Sequence, residues 1–528
     1  MQVGRASLTR TGRGSPISQE DGLGLALLGQ LERRSALCYR RAMGSRQTVT
    51  ANDLYNFTKC AHRVFLDANG DPKEKVDVSP FVKLLWELGL QTERNYLASQ
   101  GEGHVADLQS LDPDVAADET LRLMHAGTPW IYQGCLRDND LVGRPDLLVK
   151  RAGGSRLGPF LYEPIDIKAG RGWEERDGTR AKFKVHYAFQ VLFYRMLLEK
   201  VQGTLSPSAH IVNVNLELEE FDPSDFEAEF AAALREVRRL IQGRETSEPV
   251  LGSHCYLCSW FKRCERWVTE TADPTGLFFV GKQKFALKAA GLRTIADIAD
   301  MNVQEYVKGP KKIPRLGLAS LRRMKIRAQV RLGGLPVIRP GYRFPARQRE
   351  VYFDIEDDPT QGLTYLFGLL IVEGKRQPRF EYFVARKPEE EEATARAFWA
   401  FLAAAQDDVY YVYSPKERTT LRRLCDRYGL DAEIRAKYES REFDLYHDLV
   451  VAYSDWPTYS YGIKQIAKEI GFKWRDSDPS GANSIAWYNE YLANPSNEAA
   501  LTRILQYNED DCRAMVALKN YFASLGEE

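Results

Sequence analysis

Residues 143–168 constrain the fold of the first half of this chain more than any other stretch. Two apolar runs, G-R-P-D-L-L-V-K and Y-E-P-I-D-I-K, flank the polar residues 151–155. This pattern predicts a β-hairpin whose turn is formed by residues 151–155. Side chains at i and i+2 share one face of a strand, so Asp166 and Lys168 point the same way. Pairing of the two strands would bring Asp146 beside Asp166.

The side chains of Asp146, Asp166 and Lys168 suit a reaction at a phosphate. Two carboxylates can bind a hard divalent cation, and a nearby lysine can stabilise the charge that develops on a phosphate attacked by water. The arrangement resembles the PD-(D/E)xK motif of metal-dependent nucleases, and the resemblance implies Mg or Mn as the cation. The alternative interpretation is a pair of strands with ordinary charged ends.

A helix is predicted directly after the hairpin. The segment K-V-H-Y-A-F-Q-V-L-F-Y-R-M-L-L-E has helical periodicity and places His186, Gln190 and Tyr194 on one polar stripe. The Q-x3-Y pair in this place resembles the RecB-type branch of the PD-(D/E)xK nucleases. The resemblance implies that Gln190 and Tyr194 support the catalytic pocket from a helix packed over the strands.

The cysteines indicate a metal site. Cys255, Cys258 and Cys264 form a C-x2-C-x5-C motif, and Cys60 lies far upstream. A chain of 528 residues with eight cysteines and no apolar signal segment is typical of the cytoplasm. Disulfides are disfavoured there and clustered thiols more often bind metal.

Two metal groups are compatible with these cysteines. Zinc is one, with His62 or His254 as a further ligand. The other follows from a resemblance, because one cysteine before the hairpin and three after it resemble the cluster-bearing RecB-type nucleases, which include the AddB family and the CRISPR-associated adaptation exonucleases. That resemblance implies a 4Fe-4S cluster that joins the two ends of the domain, and we favour it over zinc.

One position departs from the RecB-type pattern. These nucleases commonly carry a metal-binding histidine in a G-x-x-H-E sequence on the helix before the strands. Here the sequence is G-L-Q-T-E, so Thr92 replaces the histidine while Glu93 remains as an expected metal ligand. A missing imidazole predicts a weaker metal site or an inactive first domain.

The chain is long enough for about three domains, and its apolar fraction of 44% suffices for packed cores. We expect a disordered basic arm over residues 1–46, a nuclease domain over 47–270, a helical module over 271–340 and a second nuclease domain over 345–528. No stretch has the roughly eighteen consecutive apolar residues of a membrane-spanning helix, so no membrane partner is expected.

The middle of the chain is basic, with 17 Lys and Arg residues against 3 acidic residues over positions 281–349. Part of it resembles a helix-hairpin-helix, in which backbone N–H groups at a helix start approach a phosphate. The lysines expected to bind nucleic acid are Lys282, Lys284, Lys288, Lys311 and Lys312. The alternative is a solvated pair of helices. Residues 276–283 lack the hydroxyl that a nucleotide-binding loop needs, so any helicase would be a separate partner.

A second set of acidic residues lies in the last third of the chain. Asp354 and Glu356 stand at i and i+2 in V-Y-F-D-I-E, and Tyr507 and Asp511 stand at i and i+4 in L-Q-Y-N-E-D-D-C. A D-x-E strand followed by a terminal Y-x3-D helix resembles the ribonuclease H-like DEDDy group of 3′-5′ exonucleases. The resemblance implies that four acids bind two metal ions and that Tyr507 orients the attacking water.

Two further acids fall between these motifs. Glu417, in Y-V-Y-S-P-K-E-R-T-T-L, takes the register in which the group has another acid. Asp444, in F-D-L-Y, and the segment Y-S-Y-G-I-K-Q-I match the uncharacterised bacterial branch of this fold. Asp444 could equally be a helix cap.

These expectations together describe a multi-domain α/β protein that acts as a metal-dependent DNA nuclease on single-stranded or duplex ends, in repair, recombination or defence. Two alternatives remain. The protein could be a non-catalytic DNA-binding scaffold in which one or both sites have lapsed. It could also process RNA, because such metal sites act on the phosphate and do not require deoxyribose.

Overall fold

The computed structural model describes residues 48–100, 105–176, 179–347, 349–405 and 407–525. The arm expected over residues 1–46 lies outside the described residues. The described residues form two α/β regions joined by a helical segment, so the predicted multi-domain α/β fold class is confirmed.

The first α/β region contains a six-stranded sheet with the order β11-β10-β7-β6-β3-β2 and a three-stranded sheet with the order β1-β5-β4. Its strands are β1 (Val49–Thr50), β2 (Val105–Asp107), β3 (Trp130–Tyr132), β4 (Leu136–Asp138), β5 (Leu141–Gly143), β6 (Leu147–Ser155), β7 (Gly158–Ile167), β8 (Trp173–Arg176), β9 (Thr179–Phe183), β10 (Ala209–Val212) and β11 (Leu218–Phe221). Its helices are α1 (Ala51–Lys59), α2 (Ala61–Asn69), α3 (Pro80–Ser99), α4 (Pro113–His125), α5 (Val185–Gln202), α6 (Glu227–Ile241) and α7 (Phe261–Glu270).

Helix α5 is the centre of this region, because it packs against α1 on one side and against β7 on the other. The start of α1 follows from its sequence: Thr50 and Asp53 form a reciprocal capping box in which each side chain accepts from the other residue's backbone N–H. Ile165 and Ile167 of β7 are buried in an apolar cluster, as the alternation of that strand predicted.

One sequence prediction about this region is wrong in detail. Residues 151–155 do not form the hairpin turn: they continue β6, and the chain reverses just after them, before Gly158. The glycines instead cause a register shift between Ala152 and Ser155, with φ of 150° at Gly153. Farther along the chain, β10 and β11 form a second antiparallel hairpin, whose turn has Leu216 at φ 63°.

The helical segment comprises α8 (Lys284–Ala289), α9 (Ile295–Asp300), α10 (Val303–Val307) and α11 (Leu318–Gly333). Some of its basic side chains form ion pairs with the second α/β region. Asp455 is fully buried, and its carboxylate forms ion pairs with Arg323 at 2.6 Å, Arg327 at 3.1 Å and Arg339 at 2.6 Å. These arginines are therefore paired within the protein.

The second α/β region is a five-stranded sheet with the order β15-β14-β13-β16-β17, in which β13 is central, antiparallel to β14 and parallel to β16. Its strands, with β12 and β18 of a small separate sheet, are β12 (Val337–Ile338), β13 (Arg349–Asp358), β14 (Leu363–Glu373), β15 (Arg379–Val384), β16 (Asp408–Val412), β17 (Glu442–Asp444) and β18 (Ser454–Asp455). Its helices are α12 (Glu391–Ala404), α13 (Lys416–Tyr428), α14 (Ala432–Glu439), α15 (Ile463–Glu469), α16 (Gly481–Ala493) and α17 (Glu498–Leu525), and a π-helical turn spans Leu445–Val451. Helix α17 packs across β13 and β14.

Candidate active sites

The central strand and the last helix of the second region bring three carboxylates together. Asp354 and Glu356 project from the same face of β13, and Asp511 projects from α17, which crosses that strand. One oxygen of each of these three residues lies within 4.8 Å of the others, and no other such group of three potential metal ligands occurs among the described residues. The D-x-E strand and the Y-x3-D helix therefore meet at one site.

Asp354 is held by Asn508, one turn before Asp511 on α17. The side-chain amide of Asn508 donates to Oδ2 of Asp354 at 2.8 Å. Asn508 lies against Gly368, the residue paired with Asp354 on the neighbouring strand, and a Cβ atom at position 368 would fall 1.5 Å from Asn508 Oδ1. Glycine at position 368 is therefore what allows Asn508 to reach Asp354.

Asp511 is held by two side chains that the sequence analysis did not identify as site residues. Trp474 donates its indole N–H to Oδ1 of Asp511 at 2.7 Å, and the ammonium of Lys464 lies 3.4 Å from Oδ2. Lys464 also donates to the phenol oxygen of Tyr507 at 2.7 Å. Tyr507 thus lies beside Asp511, as the i and i+4 spacing predicted.

Two of the three carboxylates, Asp354 and Glu356, have a raised pKa. Burial raises the pKa of Glu356 to about 7, with Lys416 opposing the shift and Asp511 adding to it. Burial, then Glu356 and Asp511, raise the pKa of Asp354 well above its usual range. Buried carboxylates that repel one another are the electrostatic condition that a bound divalent cation relieves.

Glu417 and Asp444 lie in different surroundings. Glu417, on α13, is buried, its Oε2 atom has no hydrogen-bond partner among the described residues, and burial followed by the charge of Asp354 raises its pKa. Asp444 accepts hydrogen bonds from the backbone N–H groups of Tyr446 at 2.9 Å and His447 at 3.1 Å. The charge of Asp354 therefore acts on Glu417, although Glu417 is not one of the three carboxylates within 4.8 Å of one another, whereas Asp444 caps a helical turn.

In the first region, the hairpin of β6 and β7 places Asp146 next to Asp166. Asp146 precedes β6, and its Oδ2 atom accepts from the backbone N–H of Ile167 at 2.7 Å. The ammonium of Lys168 lies 2.6 Å from Oδ2 of Asp166, which is almost completely buried. Burial, then the charges of Asp166 and Glu93, raise the pKa of Asp146 well above its usual range.

Helix α3 contributes Glu93 and Thr92 to this site. Glu93 accepts a 2.8 Å hydrogen bond from the hydroxyl of Tyr132, and burial raises its pKa, with that hydrogen bond opposing and Asp166 adding to the shift. The hydroxyl of Thr92 donates to the carbonyl of Leu88 in its own helix at 2.8 Å. Thr92 is therefore a helix-bonded hydroxyl at the position where an imidazole was expected.

The polar stripe of α5 lies on the side of the first site. The Oε1 atom of Gln190 is buried and has no hydrogen-bond partner among the residues the structure describes. Tyr194 is buried and its ring packs on Gly143, where a Cβ atom would come within 3.0 Å of it. Gln190 thus offers a buried acceptor, and Tyr194 packs against the last residue of β5.

The expected cysteine ligands come together from both ends of the first region. Cys60 is the single residue between α1 and α2, and Cys255, Cys258 and Cys264 lie in and after the turn Ser253–Leu257. Burial raises the pKa of Cys255 to about 11 and that of Cys264 to about 12, and the neighbouring cysteines, Cys60 among them, add to both shifts. The four thiols are therefore close enough to affect one another.

Contacts around the cysteines join the beginning and the end of the first region. The buried indole of Trp260 donates to Asp67 of α2 at 2.9 Å, and Arg263 donates to Glu74 at 2.7 Å. Trp260, between Cys258 and Cys264, thus packs inside the protein. His62 has its Nδ1 atom 2.8 Å from the hydroxyl of Ser247, and its buried Nε2 atom has no hydrogen-bond partner among the described residues.

One of the lysines predicted to bind nucleic acid does not lie at the surface, and this prediction is wrong. Lys284 is fully buried, and its ammonium contacts Asp273 at 3.0 Å and Glu248 at 3.1 Å. Lys288 joins the same two carboxylates, at 2.6 Å and 2.5 Å. Burying an ammonium requires paired carboxylates, and the basic composition of the segment does not reveal such pairing. Lys282, Lys311 and Lys312 are exposed, and Lys311 pairs with Glu305.

Two family models match this chain, one over each α/β region. Residues 46–265 match the family model of the PD-(D/E)XK nuclease superfamily, and residues 351–523 match that of the RNase H superfamily. No curated protein matches this chain. The described residues contain no helix long and apolar enough to cross a membrane. Both families are nuclease superfamilies, which supports an enzyme that hydrolyses phosphodiesters in nucleic acid.

Proposed function

We propose that this protein is a metal-dependent DNA nuclease with two active sites, and that the second site is the more competent of the two. The observation that carries the proposal is the group formed by Asp354, Glu356 and Asp511, whose oxygens lie within 4.8 Å of one another. Three carboxylates at this spacing are the donor set that Mg or Mn prefers.

In the second site, Asp354, Glu356 and Asp511 hold the cation, and the buried Glu417 supplies a fourth carboxylate beside Asp354. A divalent cation there would activate water and offset the charge on the attacked phosphate. The hydroxyl of Tyr507, fixed by Lys464, orients the attacking water. Asn508, Trp474 and Lys464 keep the ligands in place when no cation is bound. Asp444 stays outside this group as a cap, and any part it has in the reaction is indirect.

In the first site, Asp146, Asp166 and Glu93 are the proposed metal ligands and Lys168 is the residue that stabilises the attacked phosphate. The raised pKa of the Asp146 carboxyl, caused by burial and then by Asp166 and Glu93, supports a shared cation. Thr92 cannot replace an imidazole, because its hydroxyl is bonded to Leu88. We therefore assign lower activity to this site.

Cys60, Cys255, Cys258 and Cys264 are the proposed ligands of a 4Fe-4S cluster. A tetrahedral zinc site would place its sulfurs about 3.8 Å apart, given a Zn–S distance of about 2.3 Å. The four cysteines are all described, yet no three of them lie within 4.8 Å of one another. The wider spacing of the sulfurs and the all-sulfur donor set favour the cluster. The cluster would supply a rigid link between the beginning and the end of the first region.

The substrate is proposed to be DNA, with cleavage from an end and a cytoplasmic location, in repair, recombination or defence. The helical segment contributes Lys282, Lys311 and Lys312 as exposed cations for contact with the nucleic acid. These details follow from the family resemblances, as does the suggestion that a separate helicase supplies single strands.

The test is incubation of the purified protein with end-labelled single-stranded DNA, duplex DNA and RNA of one sequence, in Mn and then in EDTA. We expect degradation of DNA in Mn from one end of the strand and none in EDTA. Degradation of RNA alone would make the protein an RNA-processing enzyme, and binding without cleavage would make it a scaffold.

A further inference from the structure

A lysine and a histidine next to the first site form a contact that the roles proposed above do not use. The ammonium of Lys59 lies 3.2 Å from Nδ1 of His186. Lys59 is exposed at the end of α1, and His186 is half-buried at the start of α5. An ammonium can only donate, so Nδ1 accepts and the proton of the neutral imidazole is on Nε2.

Three ammonium groups lie around this imidazole. Burial, followed by the charges of Lys59, Lys184 and Lys168, lowers the pKa of His186 to about 3. The ammonium groups of Lys184 and Lys168 each lie 5.5 Å from the centre of the Tyr187 ring. Lys168 belongs to the first site. Lys59 and Lys184 act on the same imidazole as Lys168, so they add positive charge next to that site.

These outer lysines differ from Lys168 in what neutralises them. Lys168 pairs with Asp166, whereas Lys59 has the imidazole as its polar neighbour and Lys184 donates to the backbone carbonyl of Arg171 at 2.6 Å. Among the described side chains no carboxylate forms a salt bridge with Lys59 or Lys184. The charge of Glu174 also acts on Lys59, but less strongly than that of Lys184. Among the described side chains, the two ammonium groups therefore outweigh this one carboxylate, and Lys59 is exposed to an anion.

We propose that Lys59, Lys184 and His186 form a phosphate subsite that binds the backbone of a nucleic acid strand next to the phosphodiester held at Asp146, Asp166 and Lys168. The inference rests on the proposed nuclease function and adds the residues that hold the strand. Lysine ammonium groups bind phosphates as point charges, and the Nε2–H of a neutral imidazole adds one donor. A cluster of carboxylates repels a phosphodiester, so a cationic subsite beside it is needed to retain the strand.

The salt dependence of binding tests this subsite directly. Binding of a fluorescent single-stranded oligonucleotide to the full chain is measured in EDTA, so that no strand is cut, over a series of salt concentrations. Each lysine that neutralises a phosphate contributes about 0.7 to the slope of log affinity against log salt for single strands. We expect Lys59→Gln and Lys184→Gln each to reduce the slope by about that amount, and the double variant by about twice as much.

Two matched variants complete the experiment. Lys200→Gln, at the exposed other end of α5, should leave affinity and slope unchanged. His186→Gln should lower affinity with little change in slope, because the imidazole is neutral. An unchanged slope in the Lys59 and Lys184 variants, with normal binding by the unaltered chain, overturns the subsite and leaves the nuclease assignment standing. If the unaltered chain binds no nucleic acid at all, both proposals fail.

Discussion

The ammonium of Lys464 donates a 2.7 Å hydrogen bond to the phenol oxygen of Tyr507, and the same ammonium lies 3.4 Å from Asp511. Lys464 comes from α15, whereas Tyr507 and Asp511 both come from α17. One cation thus fixes the residue proposed to orient water and one of the proposed metal ligands.

Removing this cation should impair the second site. Residues that hold metal ligands typically affect metal affinity or activity by about 10- to 100-fold. We expect Lys464→Met to lower the nuclease activity of an Asp166→Ala background by about that factor, and Lys464→Arg to restore part of it. Lys468→Met, on the same helix and exposed, is the control. Equal activity of the Lys464 and Lys468 variants would contradict the role of Lys464.

A methyl group at position 368 should disturb the second site without touching a metal ligand. A Cβ atom there would lie 1.5 Å from Oδ1 of Asn508, which must then move away from Asp354. Gly368→Ala should weaken binding of Mn, measured by calorimetry, and destabilise the protein by about 1–3 kcal/mol. Gly481→Ala, where nothing lies within 4 Å of the new Cβ, should do neither. Normal Mn affinity in Gly368→Ala would show that Asn508 does not position Asp354.

The sequence predicted the parts of the second site that depend on local spacing. Asp354 and Glu356 share a strand face, and Tyr507 and Asp511 share a helix face, so periodicity identifies them. Lys464, Trp474 and Asn508 have no such signature. Lys464 and Trp474 meet Asp511 only through packing between separate elements. Asn508, on helix α17, is recognisable only through its contact with Gly368 on strand β14.

The prediction that Lys284 binds nucleic acid was wrong for a related reason, because it relied on the basic composition of the segment. The segment has a large excess of lysine and arginine, yet the partners of Lys284, Asp273 and Glu248, lie outside it in the sequence. The same holds for the arginines that surround Asp455. Counting charges in a window cannot detect a counter-charge that arrives from elsewhere in the fold.

The pKa of Glu356 predicts how the metal-free protein responds to pH. Its carboxyl has a pKa of about 7 in the folded protein, raised by burial from an ordinary value of 4.5. A group whose folded pKa is raised contributes stability that is complete below the ordinary pKa and is lost as pH rises through about 7. The Tm of the protein in EDTA should therefore fall across this range. Saturating Mg should reduce the fall, because a cation binds the ionised form.

Glu356→Gln is the control for this pH effect. It removes the titrating group and should flatten the corresponding part of the Tm curve in EDTA, while Mg should stabilise it less. A variant curve with the same slope as the unaltered protein would assign the pH effect to other groups.

The cysteine site makes a prediction that needs no nuclease assay. Protein purified without air should be brown and carry iron, because four thiolates are proposed to bind a 4Fe-4S cluster. Cys60→Ala and Cys258→Ala should each lose the colour and lower the Tm, since the cluster links chain segments some 200 residues apart. Cys425→Ala, a buried cysteine elsewhere, should keep the colour. Colourless protein with stoichiometric zinc would contradict the assignment.

The most direct test of the two-site account is the rate of DNA degradation in Mn by three variants: Asp166→Ala, Asp354→Ala and the double variant. Each change removes one carboxylate from a group that repels itself without metal, so folding should survive. We expect Asp166→Ala to keep most of the activity, Asp354→Ala to keep a smaller part, and the double variant to have none. Undiminished degradation by Asp354→Ala together with none by Asp166→Ala would contradict the account, because the second region would then be a scaffold.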